Sequence, residues 1–207
     1  MTDPLPGQAA LEAMLAVETE TVRFADDIAV SVGTFLESLR VIASQATPGQ
    51  AISLLLLQIS EIALAGARLG AQRDFAPRDE YQPDVGPDAD LDDLRMRMAD
   101  LLGNVDTMSY VFDPYQPEVV ESQLSDDLAS IASDLENGMR HYRAGDVEEA
   151  LWWWQFSYVS SWGALAGAAM KALLSVVAHD RLDVDNDSEL DVIEAAEAAL
   201  DGGGPTV

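Results

Sequence analysis

The sequence predicts an all-α fold: a single-domain bundle of six or seven helices around one central apolar helix, with a long acidic, proline-rich loop. Three observations lead there. Apolar residues recur at spacings of three and four over most of the chain, the period of a helix with one buried face. Alternation with a period of two, the mark of a half-buried strand, never runs beyond a few residues. And 207 residues, 48% of them hydrophobic, are enough for one well-buried domain.

The elements follow in order. Residues 8–21 form an alanine-rich first helix. From about Val22 to Ser44, Ile28, Val32, Phe35, Leu39 and Ile42 make an amphipathic stripe. Thr47-Pro48-Gly49 then breaks the pattern, with Thr47 as N-cap and Pro48 at the first position of the next helix. That helix, 48–71, is apolar around most of its circumference and is placed at the centre. The loop 73–90 is punctuated by Pro77, Pro83 and Pro87, and a connection this long is uncommon in a compact domain. A short helix over 90–102 carries acids in its first turn, where the helix dipole favours them. The stretch 109–118, SYVFDPYQPE, reads as a proline-bounded aromatic turn. Ser125 caps a helix to Arg143 that Gly145 ends, and Asp146 caps a tryptophan-bearing helix running to Ala178, interrupted near Ser160–Gly163. A last short helix covers 189–200.

The tryptophan helix poses a packing question. At 100° per residue, Trp152, Trp153 and Trp154 cannot share a face. Trp152, Phe156, Val159 and Met170 fall on one side, and Trp154, Tyr158, Trp162 and Leu165 on the opposite side. Two apolar stripes predict a helix sandwiched between neighbours, with Trp152 and Trp154 as core anchors, since each indole can bury on the order of 200 Å². Trp153 falls between them beside Ser157 and Ser160. It lies against the preceding helix or a loop, faces a protein partner, or lines a small-ligand pocket.

Composition narrows the function classes. The formal net charge is −26, with only 11 basic residues. Nucleic-acid binding needs cations to displace the counterions of the phosphates, so direct contact with nucleic acid is not expected. The acidic surface suits solubility or a basic protein partner. No cysteine is present, which removes disulfides and thiolate chemistry. The N-terminus lacks a signal-peptide pattern, and the two most apolar runs carry Glu61 and Lys171, so both are expected to be buried helices of a cytoplasmic protein, without a membrane partner.

Reaction chemistry is hard to assemble. Only His141 and His179 exist, neither with a glutamate three residues before it, and neither a nucleophile elbow nor a phosphate loop appears. One metal pattern merits a test. Asp183, Asp185, Asp187, Glu189, Asp191 and Glu194 fall at positions 1, 3, 5, 7, 9 and 12 of an EF-hand-like calcium loop, although Ser188 stands where that loop wants glycine. Arg68 closes the apolar helix and, if buried, needs a carboxylate; Asp113 is the first choice and Asp74 the second.

The stretches LAGARLGAQ, VFDPYQP, SDDLASIASDLENGMRHYRAG and EALWWWQFSYVSSWG resemble a family of uncharacterised bacterial proteins, the domain-of-unknown-function family numbered 5063. The resemblance covers about 23–182. It implies a small helical protein of the cytoplasm with no assigned activity or cofactor, and its motif positions here are Arg68, Asp113, Tyr115, Trp152, Trp153, Trp154, Tyr158 and Trp162. The chain then divides into an N-terminal extension (1–21), a helical-bundle domain (22–182) and an acidic, partly disordered tail (183–207). The expected function is a non-enzymatic protein-interaction or scaffold module that docks a protein partner or itself through the Trp153 face or the acidic loop 73–93, with Arg68, Asp113, Tyr115, Trp153, Tyr158 and Trp162 as the candidate ligand- or partner-binding residues. An anion or small-molecule pocket built from the same arginine and aromatics, and calcium binding by the tail, are the alternatives.

Overall fold

A computed structural model describes residues 6–77, 89–113 and 115–201, with side chains over 14–77, 89–111 and 115–182. The order of elements is α1 (Pro6–Gln45), α2 (Pro48–Gly70), α3 (Asp92–Leu102), β1 (Thr107–Asp113), β2 (Gln116–Gln123), α4 (Leu124–Arg143), α5 (Val147–Ser157), a π-helical turn (Tyr158–Trp162) and α6 (Gly163–Asp201). The fold is mostly helical, as the periodicity predicts. Three boundaries differ. Nothing between Thr21 and Val22 breaks a helix, and α1 runs straight through. α6 likewise continues past Asp183 to Asp201. The third is a pair of strands.

β1 and β2 form an antiparallel hairpin pairing Tyr110 with Val120 and Val111 with Val119. The expectation of a plain turn at 109–118 is thereby corrected. Valine, tyrosine and threonine suit a pleated ribbon, and Met108 is buried while Thr107, Ser109 and Val111 are exposed. That is the period-two pattern, over too few residues to stand out in the sequence. β2 runs directly into α4, and Asp106, just before β1, is tied to the start of that helix: its carboxylate accepts from the Ser125 N–H at 2.8 Å and from its hydroxyl at 2.9 Å. Asp106, and not Ser125, therefore satisfies free amide donors at the start of α4.

The expected central helix is also corrected. α2 buries Ala51, Leu55, Ile59, Ile62, Ala65 and Leu69, but its Leu54, Leu57 and Leu64 are exposed. The enclosed helix is α4, packed among α1, α3, α5 and α6, with only Ser130 and Arg143 exposed. Its core side is Leu128, Ile131, Leu135 and Met139. The rest of its circumference is polar and yet covered, by hydrogen-bonded neighbours: Ser122 donates to Asp127 at 2.8 Å, Ser161 to Asp134, and Arg143 meets Glu136 at 2.9 Å. Hydrophobicity alone points to α2 because such pairings are invisible in a composition count.

Thr47 does begin α2. The Gln50 carboxamide reaches back to its N–H at 3.3 Å and its hydroxyl at 3.0 Å, and Pro48 occupies the first turn. Gly145 ends α4 with φ of +88°, a conformation glycine adopts without strain.

Candidate interaction surface

The tryptophan rod consists of α5, the π-helical turn and α6 in one continuous run. Trp154 is the core anchor the angular argument predicts. It is fully buried, donates its indole N–H to the Leu135 carbonyl at 3.0 Å, and lies where Gly138 of α4 has no side chain. A β-carbon on Gly138 would overlap the ring. Tyr158 and Trp162 use α2 in the same way: a β-carbon on Gly66 would strike both rings. The small residues of LAGARLG thus form a slot for two aromatics. The widened turn lets Tyr158 and Trp162, four apart, both enter that slot. It also leaves no room for a side chain at Gly163, whose β-carbon would meet the Tyr158 carbonyl oxygen.

The opposite stripe is not buried, which corrects the sandwiched-helix expectation. Trp152 is half-buried and stacks on Phe156, with centroids 5.2 Å apart. Phe156 is 53% exposed and Val159 75%. Trp153 lies against the preceding helix, stacked on buried His141 at 6.0 Å and edge-on to Trp152 at 5.1 Å. Burial pushes the His141 pKa down, while the charges of Glu149 and Asp146 pull it up and Arg140 pushes it further down.

The other predicted site residues do not converge. Arg68 pairs with Asp27 of α1 at 3.0 Å and sits over the Phe24 ring at 5.4 Å, so its partner is neither Asp113 nor Asp74. Tyr115 projects from the hairpin tip, 94% exposed, beside Asp113, whose side chain lies outside the described residues. Tyr158 and Trp162 are packed against α2. An open groove of about 660 Å³ lies between the N-terminal half of α1 and the start of α5, lined by Met14, Val17, Thr21, Arg73 and Val147. None of the predicted residues lines it. Asp183, Asp185, Asp187, Glu189, Asp191 and Glu194 lie on the continuous helix of α6, where a calcium loop would need a turn; their side chains lie outside the described residues. Among the described residues no group of three or more His, Asp or Glu side chains is placed to hold a metal ion.

A feature that site-by-site reading misses is the distribution of acids. The chain has 37 Asp and Glu, but residues 150–179 contain none and 38–73 contain only Glu61. These two segments pack side by side as antiparallel helices. Gln155 bonds to the carbonyl of Leu69, and Ser60 touches the Met170 sulfur at 3.8 Å. Their solvent side exposes Leu57, Leu64, Phe156, Val159 and Leu174. Pro48–Gly70 and Val147–Leu182 are each long and apolar enough to cross a bilayer by length and composition, yet only 33% and 22% of their most apolar windows is buried. The sequence expectation that both are enclosed is thereby corrected. The face they share is apolar and almost free of acid on a protein of net charge −26.

A helical bundle with a packed core, a β-hairpin at one end and an exposed apolar face is the class this structure defines. The sequence profile of the family described as Domain of unknown function (DUF5063) matches residues 19–179, and the chain belongs to that family. No curated protein matches it. The fold is similar to a crystal structure of protein BF1032 from Bacteroides fragilis, with a TM-score of 0.59 and 18% identity over 72% of this chain and 89% of that one.

Proposed function

We propose that this chain is a non-enzymatic protein-interaction module that docks through the shared face of α2 and the α5–α6 rod. The observation that carries this reading is the joint exposure of Leu57, Leu64, Phe156 and Val159 on a face to which the segments 38–73 and 150–179 bring a single acid, Glu61. Water-facing helices of so acidic a protein would ordinarily carry Asp and Glu, as α3 does with Asp92 and Asp93. A contiguous apolar face on a folded domain marks a contact surface. The Trp152–Phe156 stack adds a rigid aromatic anchor of the kind that dominates interface energies.

A photo-reactive amino acid placed at position 64 or 156 in cells tests this reading. Protein adducts are expected from both positions and not from position 37, where Glu37 is exposed on α1. No protein adduct from either position, the chain itself included, overturns it.

A further inference from the structure

Building on that reading, we infer that the occupant of the face is a second copy of this chain, docked about a two-fold axis that runs along the seam between α2 and α6. The geometry of two short rows carries this. On α2, Leu57, Glu61 and Leu64 sit at i, i+4 and i+7 and all are exposed; on α6, Gly167, Lys171 and Leu174 repeat that spacing and are exposed too. The contact of Ser60 with Met170 fixes the two helices in height. Because they are antiparallel, Glu61 lies level with Lys171, Leu57 with Leu174, and Leu64 with Gly167.

Glu61 and Lys171 are opposite charges at one level of one face, and among the described residues neither side chain has an ion pair or hydrogen bond. A two-fold axis parallel to the helices preserves height and exchanges left for right. It therefore lays α2 of one copy on α6 of the other, Glu61 against Lys171 of the second copy, and repeats the pair on the far side. An isologous contact demands this self-complementarity, and the result is an antiparallel four-helix arrangement. Size agrees. The exposed stretch from Trp152 to Leu174 is about 35 Å long at 1.5 Å per residue, and two helices side by side are about 20 Å across. That is on the order of 700 Å², close to the roughly 800 Å² each partner buries in a stable complex. Charge favours this side as well. Two chains of −26 repel through their acidic surfaces, and this face is where they meet with the fewest like charges.

The full chain in solution, measured by sedimentation equilibrium, tests the inference. The parent is expected at twice the chain mass. Lys171→Glu, which gathers four acids around the axis, is expected to weaken association by on the order of tenfold or more, with helicity by circular dichroism unchanged. Glu61→Lys alone weakens it similarly, and the double exchange Glu61→Lys with Lys171→Glu restores it. A parent that stays monomeric at all concentrations overturns the inference, as does a double exchange that remains as weak as the single variants. A monomer that binds phosphatidylcholine vesicles through this face also overturns it, in favour of a bilayer as occupant. The photo-crosslinks separate the two readings. Adducts of position 64 with a different protein sink self-docking and leave the docking module standing, whereas absence of any protein adduct sinks both.

Discussion

Gln155 holds Phe75 in place: the side-chain carbonyl of the first accepts the backbone N–H of the second at 2.8 Å. The same carboxamide donates to the carbonyls of Leu69, at 2.9 Å, and Arg73, at 3.2 Å. One buried side chain of the tryptophan rod thus closes the end of α2 and fixes the path of the chain leaving it, where Phe75 stacks on Phe24 of α1.

Replacing Gln155 with Leu keeps the volume and removes the carboxamide partner of the Phe75 N–H and of the Arg73 carbonyl, while the Leu69 carbonyl keeps the Gln72 N–H at 3.1 Å. The expected loss is about 1–3 kcal/mol, the range for leaving buried polar groups unpaired, seen as a lower urea midpoint with faster exchange of the Phe75 amide. Gln155→Glu is expected to do no better at pH 7, because a carboxylate would face two carbonyls. An unchanged midpoint and unchanged exchange in Gln155→Leu would show that the clamp carries no stability.

The same substitution at two glycines should have opposite signs. Gly138→Ala drives a methyl into the Trp154 indole and is expected to cost about 1–3 kcal/mol, as overpacking of a tight core does. Gly33→Ala, inside α1, places its methyl at an ordinary 3.8 Å from Met139 and should stabilise by about 0.5–1 kcal/mol through the lower backbone entropy of the unfolded chain. Denaturant midpoints decide both. A Gly138→Ala protein as stable as the parent would mean that Trp154 has another place to go.

These glycines show what was legible. The recurrence of three and four locates α2, the core stripe of α4 and the second half of α1, and the angular argument alone puts Trp154 in the core. The partners of each residue were not legible. Arg68 meets Asp27, 41 residues earlier, because α1 and α2 form a long antiparallel hairpin whose register no local pattern encodes. Asp106 reaches Ser125 across an entire β-hairpin. The burial of α4 depends on paired polar side chains, which a hydrophobicity argument counts as exposed. The exposed apolar face is hidden for the converse reason. Apolar periodicity reads as burial, and it is the absence of acids along 150–179 that distinguishes an exposed apolar face in so acidic a chain.

His141 should make stability pH-dependent. Burial is the main cause of its lowered pKa, so the folded chain holds it neutral while the unfolded chain takes up a proton near 6.5. Its contribution is complete above that pH and is lost as pH falls below it, where the unfolded state binds more protons. His141→Phe retains a ring against Trp153 and cannot titrate. Between pH 7.5 and 5.5 the parent is expected to lose stability relative to this variant, and urea midpoints that run parallel over the range would contradict the assignment.

Asp134 should act with the opposite sign. Burial is the leading cause of its raised pKa, only partly offset by the hydrogen bond from Ser161. The folded state therefore holds the proton more tightly than the unfolded one. The stabilising contribution is complete below the ordinary carboxylate range and is lost as pH rises through the folded pKa. At pH 7 the ionised carboxylate is a cost that α4 carries. Asp134→Asn removes the charge and keeps an acceptor for the Ser161 hydroxyl. Solvent screening tempers the gain at a half-buried site, so the expected rise in Tm at pH 7 is modest, about 1–3 °C in a chain of this size. The advantage should shrink as pH falls toward 4, because the parent then becomes neutral as well. A variant that melts below the parent at pH 7, by a margin that does not change with pH, would mean that Asp134 is needed as an anion.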